Sequence, residues 1–197
     1  RALLNDSGFG IDGLLLPGHV CTVTGRKAFE FIAADCGVPA VIAGFETIDI
    51  LKGILELEGI VDRDMPEVVN GYPRVVCENG NRKALEAIDA CFDVAGSTWR
   101  GLGSIPGSGL KLKKHLKGFD AQNKFSISGI CVSFPEKGCG CGKVLRGQIT
   151  PLECPLFGKT CTPARPAGPC MVSTEGACAA YYQNERLNPA GRGWPRA

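Results

Sequence analysis

Two hydrophobic periods alternate along the first two thirds of the chain. Short unbroken apolar runs, the pattern of strands covered on both faces, are followed by stretches in which apolar residues recur every three or four positions, the pattern of helices. Ile11 to Leu16 is the first run and ends at Pro17-Gly18. Ala28 to Cys36 has helical spacing, with Phe29, Ile32 and Ala33 on one face and Gly37 as its stop. Pro39-Ala-Val-Ile-Ala43 is a second strand, bounded by Gly44-Phe45. A helix follows from about Thr47 to Leu57, and its apolar stripe of Ile48, Leu51, Ile54 and Leu55 is expected to face inward. Another helix covers about Asn81 to Phe92 with Leu85, Ala87, Ile88 and Cys91 inward, and Trp99 to Ile105 is expected to return to the sheet. Strands separated by helices predict an α/β fold, a Rossmann-like parallel sheet flanked by helices over residues 1–128.

The pattern changes near Cys131. Six of the eleven cysteines fall between Cys139 and Cys178, among Gly, turns and the prolines at 151, 155, 163, 166 and 169. Those prolines exclude a long helix, and aliphatic residues are too sparse for a self-sufficient core. We therefore expect a separate Cys/Gly/Pro-rich module over 129–182 and a loose tail over 183–197. Disulfides, zinc and an iron–sulfur cluster are the candidates for what holds the module together. An odd cysteine count and the lack of a charged leader before an apolar segment argue against a disulfide framework and for a reducing, cytoplasmic setting. Intervals of one, twelve, six, eight and seven residues contain no Cys-x-x-Cys knuckle, which argues against zinc. A cubane accepts thiolates from separated loops, and four of the six would leave two for thiol–disulfide chemistry.

Composition narrows the other classes. No apolar run approaches the roughly 20 residues that span a bilayer, so no membrane segment is expected. Net charge is +2, but residues 1–107 carry nine Lys/Arg against fifteen Asp/Glu, whereas residues 108–197 carry thirteen against five. Aromatic residues are not interleaved with the basic ones, so nucleic acid is not the expected partner; a basic surround would partly offset an anionic cluster. The strand-end loops Pro17-Gly-His19, Gly44-Phe-Glu46 and Pro106-Gly-Ser-Gly109 lie where open α/β sheets bind ligands, yet none is a phosphate loop.

The run Glu136-Lys-Gly-Cys-Gly-Cys-Gly-Lys-Val-Leu-Arg-Gly147, then Glu153-Cys-Pro-Leu-Phe-Gly-Lys-Thr-Cys-Thr-Pro163, then Gly168-Pro-Cys-Met-Val-Ser-Thr-Glu-Gly-Ala-Cys-Ala-Ala-Tyr-Tyr182 resembles the C-terminal signature of the HypD family of hydrogenase formation proteins. Pro17-Gly-His-Val20, Gly44-Phe-Glu-Thr-Ile-Asp-Ile-Leu51, Asn70-Gly-Tyr-Pro-Arg74 and Trp99-Arg-Gly-Leu-Gly-Ser-Ile-Pro-Gly-Ser-Gly-Leu110 match in order. The resemblance implies a cytoplasmic assembly factor with redox activity rather than a turnover enzyme. It implies a [4Fe-4S] cluster and an iron ion carried while the Fe(CN)2CO centre of [NiFe]-hydrogenases is built. A HypC-like small chaperone, a HypE-like cyanide donor and, indirectly, the hydrogenase large subunit are the implied partners. Carried over by position, Cys139, Cys154, Cys161 and Cys178 are the cluster ligands, and Cys141 with Cys170 is the redox-active pair. The choice of Cys139 over Cys141 is the open point of that assignment. The alternatives are a cluster-dependent disulfide reductase and a structural zinc module.

Two further residues are site candidates. His19 follows the first strand and could pass a proton or face the iron site; otherwise it is a hydrogen-bonded loop residue. Glu175 lies between Cys170 and Cys178, where a carboxylate could relay protons, or serve as a cap or ion-pair partner. Glu46 and Asp49 are read as first-turn acids on a helix N-terminus. Cys21, Cys36, Cys77, Cys91 and Cys131 are scattered and read as filler. The family's Gly-Pro-Gly-Cys-Pro-Val-Cys and Cys-Gly-x-His segments do not occur here, and the first residue is Arg1 rather than Met. The expectation is a fragment whose N-terminal part, with the main ligands for the carried iron, is missing.

Overall fold

Strand β2 (Ala40–Ala43) is the centre of the first part of the molecule: all four of its residues are buried, as an unbroken apolar run between turns requires. In the computed structural model, which describes residues 1–99, 102–125 and 137–187, β1 (Leu14–Pro17) and β3 (Val68–Asn70) flank it in a parallel sheet of order β1-β2-β3. Leu14 pairs with Ala40 and Pro17 with Ala43; on the other side Ala40 pairs with Val68 and Ile42 with Asn70. Helices α1 (Gly18–Thr24) and α2 (Phe31–Ala34) cover this sheet, and Leu16, Cys21, Ile32, Ile42, Val68 and Val76 form the core beneath them. The chain is thus an α/β protein with a parallel three-stranded sheet flanked by helices. No described helix is long and apolar enough to cross a membrane.

Helix α3 (Thr47–Arg63) runs six residues beyond its expected end and stops where Asp64 turns left-handed, φ 52°. It packs on β1 and β2, but not through the stripe expected from its sequence. Asp49, Gly53 and Ile60 are its buried positions, whereas Ile48, Leu51, Ile54 and Leu55 are between 48% and 70% exposed. The reason is steric. Gly53 has no side chain, and a Cβ there would lie 3.1 Å from Ala43 Cβ and 3.2 Å from Leu15 Cδ2, so the helix sits low on the sheet along its smallest residue.

Helix α4 (Arg82–Cys91) is capped by Asn81, whose side chain accepts from the Ala84 N–H at 3.2 Å. Gly80, at φ 70°, and Gly25, at φ 83°, bring the start of α4 against the end of α1, and a Cβ on either would collide with backbone of the other segment. The inward face expected of α4 is not buried: no residue of this helix is, and Leu85 and Ile88 are each 37% exposed.

The stretch expected to rejoin the sheet does something else. Strands β4 (Phe92–Trp99) and β5 (Gly103–Leu112) form their own two-stranded sheet, and the Trp99 indole N–H donates to Ser108 Oγ at 2.8 Å. Neither strand has a fully buried residue, which removes the hydrophobic reason for insertion beside β1 to β3. Helix α5 (Ala121–Lys124) follows.

The chain divides into two compact units, residues 1–94 with 110–124 and residues 95–109 with 125–197. In the second, α6 (Cys141–Leu145), α7 (Pro169–Val172) and α8 (Ala177–Leu187) are joined by turns. A short 3-10 turn over Pro151–Glu153 is fixed by the Glu153 carboxylate, which accepts from Thr150 N–H at 2.8 Å and Thr150 Oγ1 at 3.0 Å. Cys131 and the tail beyond Leu187 lie outside the described residues.

Candidate functional site

Short elements each deliver one or two cysteines to the second unit's interior. Cys139 precedes α6 and Cys141 opens it; Cys154 and Cys161 flank the Pro155–Thr160 loop; Cys170 lies on α7 and Cys178 on α8. No segment is long enough to form a helix alone, so the turns set the geometry. All six cysteines line one cavity, together with Phe157, Gly168 and Met171. Five of the six are buried, and Cys139 is half-buried. Phe157 meets Tyr182 edge-on at 6.1 Å, which helps to close one side.

Within the cavity Cys141 Sγ and Cys170 Sγ are 2.8 Å apart and share a hydrogen bond. That bond pulls the Cys141 pKa down to about 7 despite burial, and a backbone bond from Cys170 adds to it. The same contact, then burial and the surrounding thiols, push Cys170 up. Burial followed by the neighbouring thiols raises Cys178 to about 11, and burial raises Cys139. Two amides point at sulfur: Gly140 N–H donates to Cys154 Sγ at 3.3 Å, and Ala167 N–H to Cys161 Sγ at 3.4 Å. All donor atoms on the wall are sulfur, a soft set that suits zinc, copper(I) or iron–sulfur species. Among the described residues no three His, Cys, Asp or Glu side chains are gathered closely enough to hold one metal ion.

Glu175 is exposed and does not line the cavity; its backbone N–H donates to Ser173 Oγ at 3.2 Å. His19 belongs to the first unit, exposed on the first turn of α1 after β1, with its ring 4.9 Å from that of Phe45. Beside it, at the carboxyl ends of the parallel strands, lies a cluster that sequence spacing did not reveal. Asp49 is 6% exposed and accepts from Arg74 at 2.8 and 2.6 Å, and Arg74 also pairs with Glu46. Arg74 stacks over the Tyr72 ring at 4.4 Å, and Tyr72 fills the space a Cβ would need at Gly18 and Gly44. Glu46 and Asp49 thus answer to an arginine 25 or more residues away as well as to a helix start. The guanidinium holds the Asp49 carboxyl below its ordinary pKa.

The family model described as the hydrogenase formation hypA family, HypD, matches residues 1–185, the α/β unit and the cysteine cavity together. The chain belongs to the HypD family. It is 44% identical over 184 residues to the hydrogenase maturation factor HypD1 of Bradyrhizobium diazoefficiens, covering 93% of this chain and 48% of that protein. It is equally similar to the hydrogenase maturation factors HypD of Rhodobacter capsulatus, over 93% of this chain and 50% of that protein, and of Escherichia coli, over 93% and 49%. The chain therefore spans about half the length of the curated HypD relatives it matches. Gly168, Met171 and Phe157 are the cavity residues that cysteine spacing did not pick out.

Proposed function

We propose that this chain supplies the electron-handling part of a hydrogenase maturation factor, with a [4Fe-4S] cluster held by Cys139, Cys154, Cys161 and Cys178 and a dithiol formed by Cys141 and Cys170. The observation that carries the reading is the 2.8 Å contact between Cys141 and Cys170 inside a cavity walled by four further cysteines. Membership of the HypD family, whose relatives are named hydrogenase maturation factors, supports a reading in hydrogenase maturation. On this reading the chain works as a cytoplasmic scaffold with a HypC-like small chaperone and a HypE-like cyanide donor. An iron ion is its cargo, and the hydrogenase large subunit is the indirect recipient.

The residues fit such a group through their chemistry. The donors are thiols from separate loops, and two already accept backbone N–H bonds, the interaction that stabilises thiolate sulfur and sets cluster potentials. When bound, the cluster supplies or takes single electrons. Closing the Cys141–Cys170 pair to a disulfide releases two electrons and two protons; opening it consumes them. The two sulfurs share one hydrogen bond inside the cavity, so the pair is already within reach of closure. With Cys141 2% and Cys170 6% exposed, a bulky external disulfide cannot reach either sulfur, which weighs against a general disulfide reductase.

The test is anaerobic expression with iron and sulfide, followed by iron, acid-labile sulfide and zinc analysis per chain and a thiol titration. About four irons and four sulfides, with one dithiol that oxidises reversibly, are expected. One zinc without sulfide would refute the reading and leave a structural module.

A further inference from the structure

Gly168 occupies a position its backbone does not explain. Its φ and ψ of −144° and 162° are extended values open to any residue. What singles it out is its surroundings. A Cβ built there would fall on Cys139 Sγ, while Cys141 Cβ would be at an ordinary 3.5 Å. The sulfur of Cys139 thus occupies the volume that any side chain at 168 would claim. The same short segment makes two further contacts: Ala167 N–H reaches Cys161 Sγ on another loop, and Cys170 Sγ reaches Cys141 Sγ, two residues beyond Cys139. Residues 167–170 therefore touch two cysteine-bearing segments, the loop at Cys161 once and the Cys139–Cys141 segment twice, and the contact to Cys139 consists of missing atoms.

We propose that Gly168 is the positioning residue for Cys139: the vacant Cβ site is the slot that seats this sulfur at the cavity wall, and it decides that Cys139 and not Cys141 serves as a ligand. The proposal deepens the reading that the cavity holds a thiolate-bound group. Cys139 and Cys141 are separated by one glycine and are chemically alike. Their fates differ because Cys141 is engaged by Cys170 and Cys139 by an absence. Filling the slot leaves Cys141 in ordinary contact and expels Cys139 alone.

The experiment is a substitution cycle on the whole chain, first without metal. Gly168→Ala should lower Tm by about 3–10 °C in the native background, because overpacking a filled site is destabilising. In a Cys139→Ala background the same change should leave Tm unchanged or slightly raised, since extended backbone suits alanine and loses less entropy. In a Cys141→Ala background the loss should persist. Iodoacetamide labelling of Cys139, read by peptide mass against Cys178 of the same molecule, should rise about fivefold or more in Gly168→Ala. Equal Tm losses in all three backgrounds, or an unchanged labelling ratio, overturn the proposal. If Gly168→Ala does not fold, the double substitution with Cys139→Ala decides: recovery of folding supports the slot, and failure to recover overturns it. Reconstitution with iron and sulfide then separates the two levels. A native chain that takes up neither sinks the cluster reading while the coupling of 168 to 139 stands. In a chain that loads, Gly168→Ala should lose iron as Cys139→Ser does, and Cys141→Ser should keep it; full iron in Gly168→Ala overturns the choice of ligand.

Discussion

Truncating Ile42 to alanine and, separately, Leu51 to alanine sets the sheet core against the helix stripe that the sequence marks as buried. Ile42 is fully buried on the central strand, hydrogen-bonded to β1 on one side and β3 on the other. Removing three carbons at about 0.8 kcal/mol each loses about 2.4 kcal/mol of transfer energy. The void cannot close, because strands on both sides fix the backbone, so the total should be about 3–4 kcal/mol. Leu51 is 58% exposed, and its truncation should change stability by no more than about 0.5 kcal/mol. Native-state hydrogen exchange at Ala40 to Ile42 is the assay, since it reads the sheet regardless of the second unit. Ile42→Ala should speed exchange of these amides by a few hundred-fold, and Leu51→Ala by less than about threefold. If Leu51→Ala accelerates exchange as strongly as Ile42→Ala, α3 packs on the sheet through its apolar stripe and the account of Gly53 is wrong.

Other outcomes follow from the same contacts. Asp49 and Glu78 are held below their ordinary pKa by Arg74 and Arg26 respectively, so the unfolded chain binds protons more readily as pH falls. Their contribution is complete above the ordinary carboxylate range near pH 4 and is lost as pH drops through the depressed values, and Asp49→Asn should flatten this acid limb in a thermal-melt series. Asn81→Ala should cost about 1 kcal/mol by urea denaturation through loss of the α4 cap, and Asn81→Gly should cost less. In reconstituted protein Cys141→Ser should leave iron content near that of the native chain while abolishing the reversible dithiol, read by thiol titration; loss of iron would assign Cys141 to the cluster instead.

Much of this was legible in the sequence, and what was not has identifiable causes. The run at β2 announced itself because a strand covered on both faces needs unbroken apolar residues; β1 carries a similar run although only Leu16 of it is buried. Strand β3 has three residues and gave no such signal. Periodicity correctly marked α3 as a helix with an apolar stripe, but it cannot say which side meets the sheet. That was decided by Gly53, the one position where the helix can approach closely. Trp99 to Ile105 reads as one strand, whereas Trp99 ends β4 and Gly103 begins β5, and these two strands, which have no fully buried residue, pair with each other rather than with the parallel sheet. The gathering of the cysteines could be read from their density among glycines and prolines. Their proposed division into ligands and a pair rests on family resemblance, since spacing alone treats six thiols alike. Arg74 with Asp49 and Gly168 with Cys139 join residues far apart in the chain, and no local pattern records either.

Helices α6 and α7 have five and four residues, and among the described residues the buried hydrophobic cluster of the second unit consists, apart from its cysteines, of Met171 and Ala179. Elements this short do not hold themselves together in water. On the proposed reading, a group bound by the cysteines would contribute its binding energy directly to the folding of these loops. In a cell, loaded and empty chains would then differ most in lifetime: the empty loops open often enough for proteases to cut them, whereas the loaded ones persist. Loading would thus govern abundance as well as chemistry, and the cell would retain mainly those copies already equipped to work.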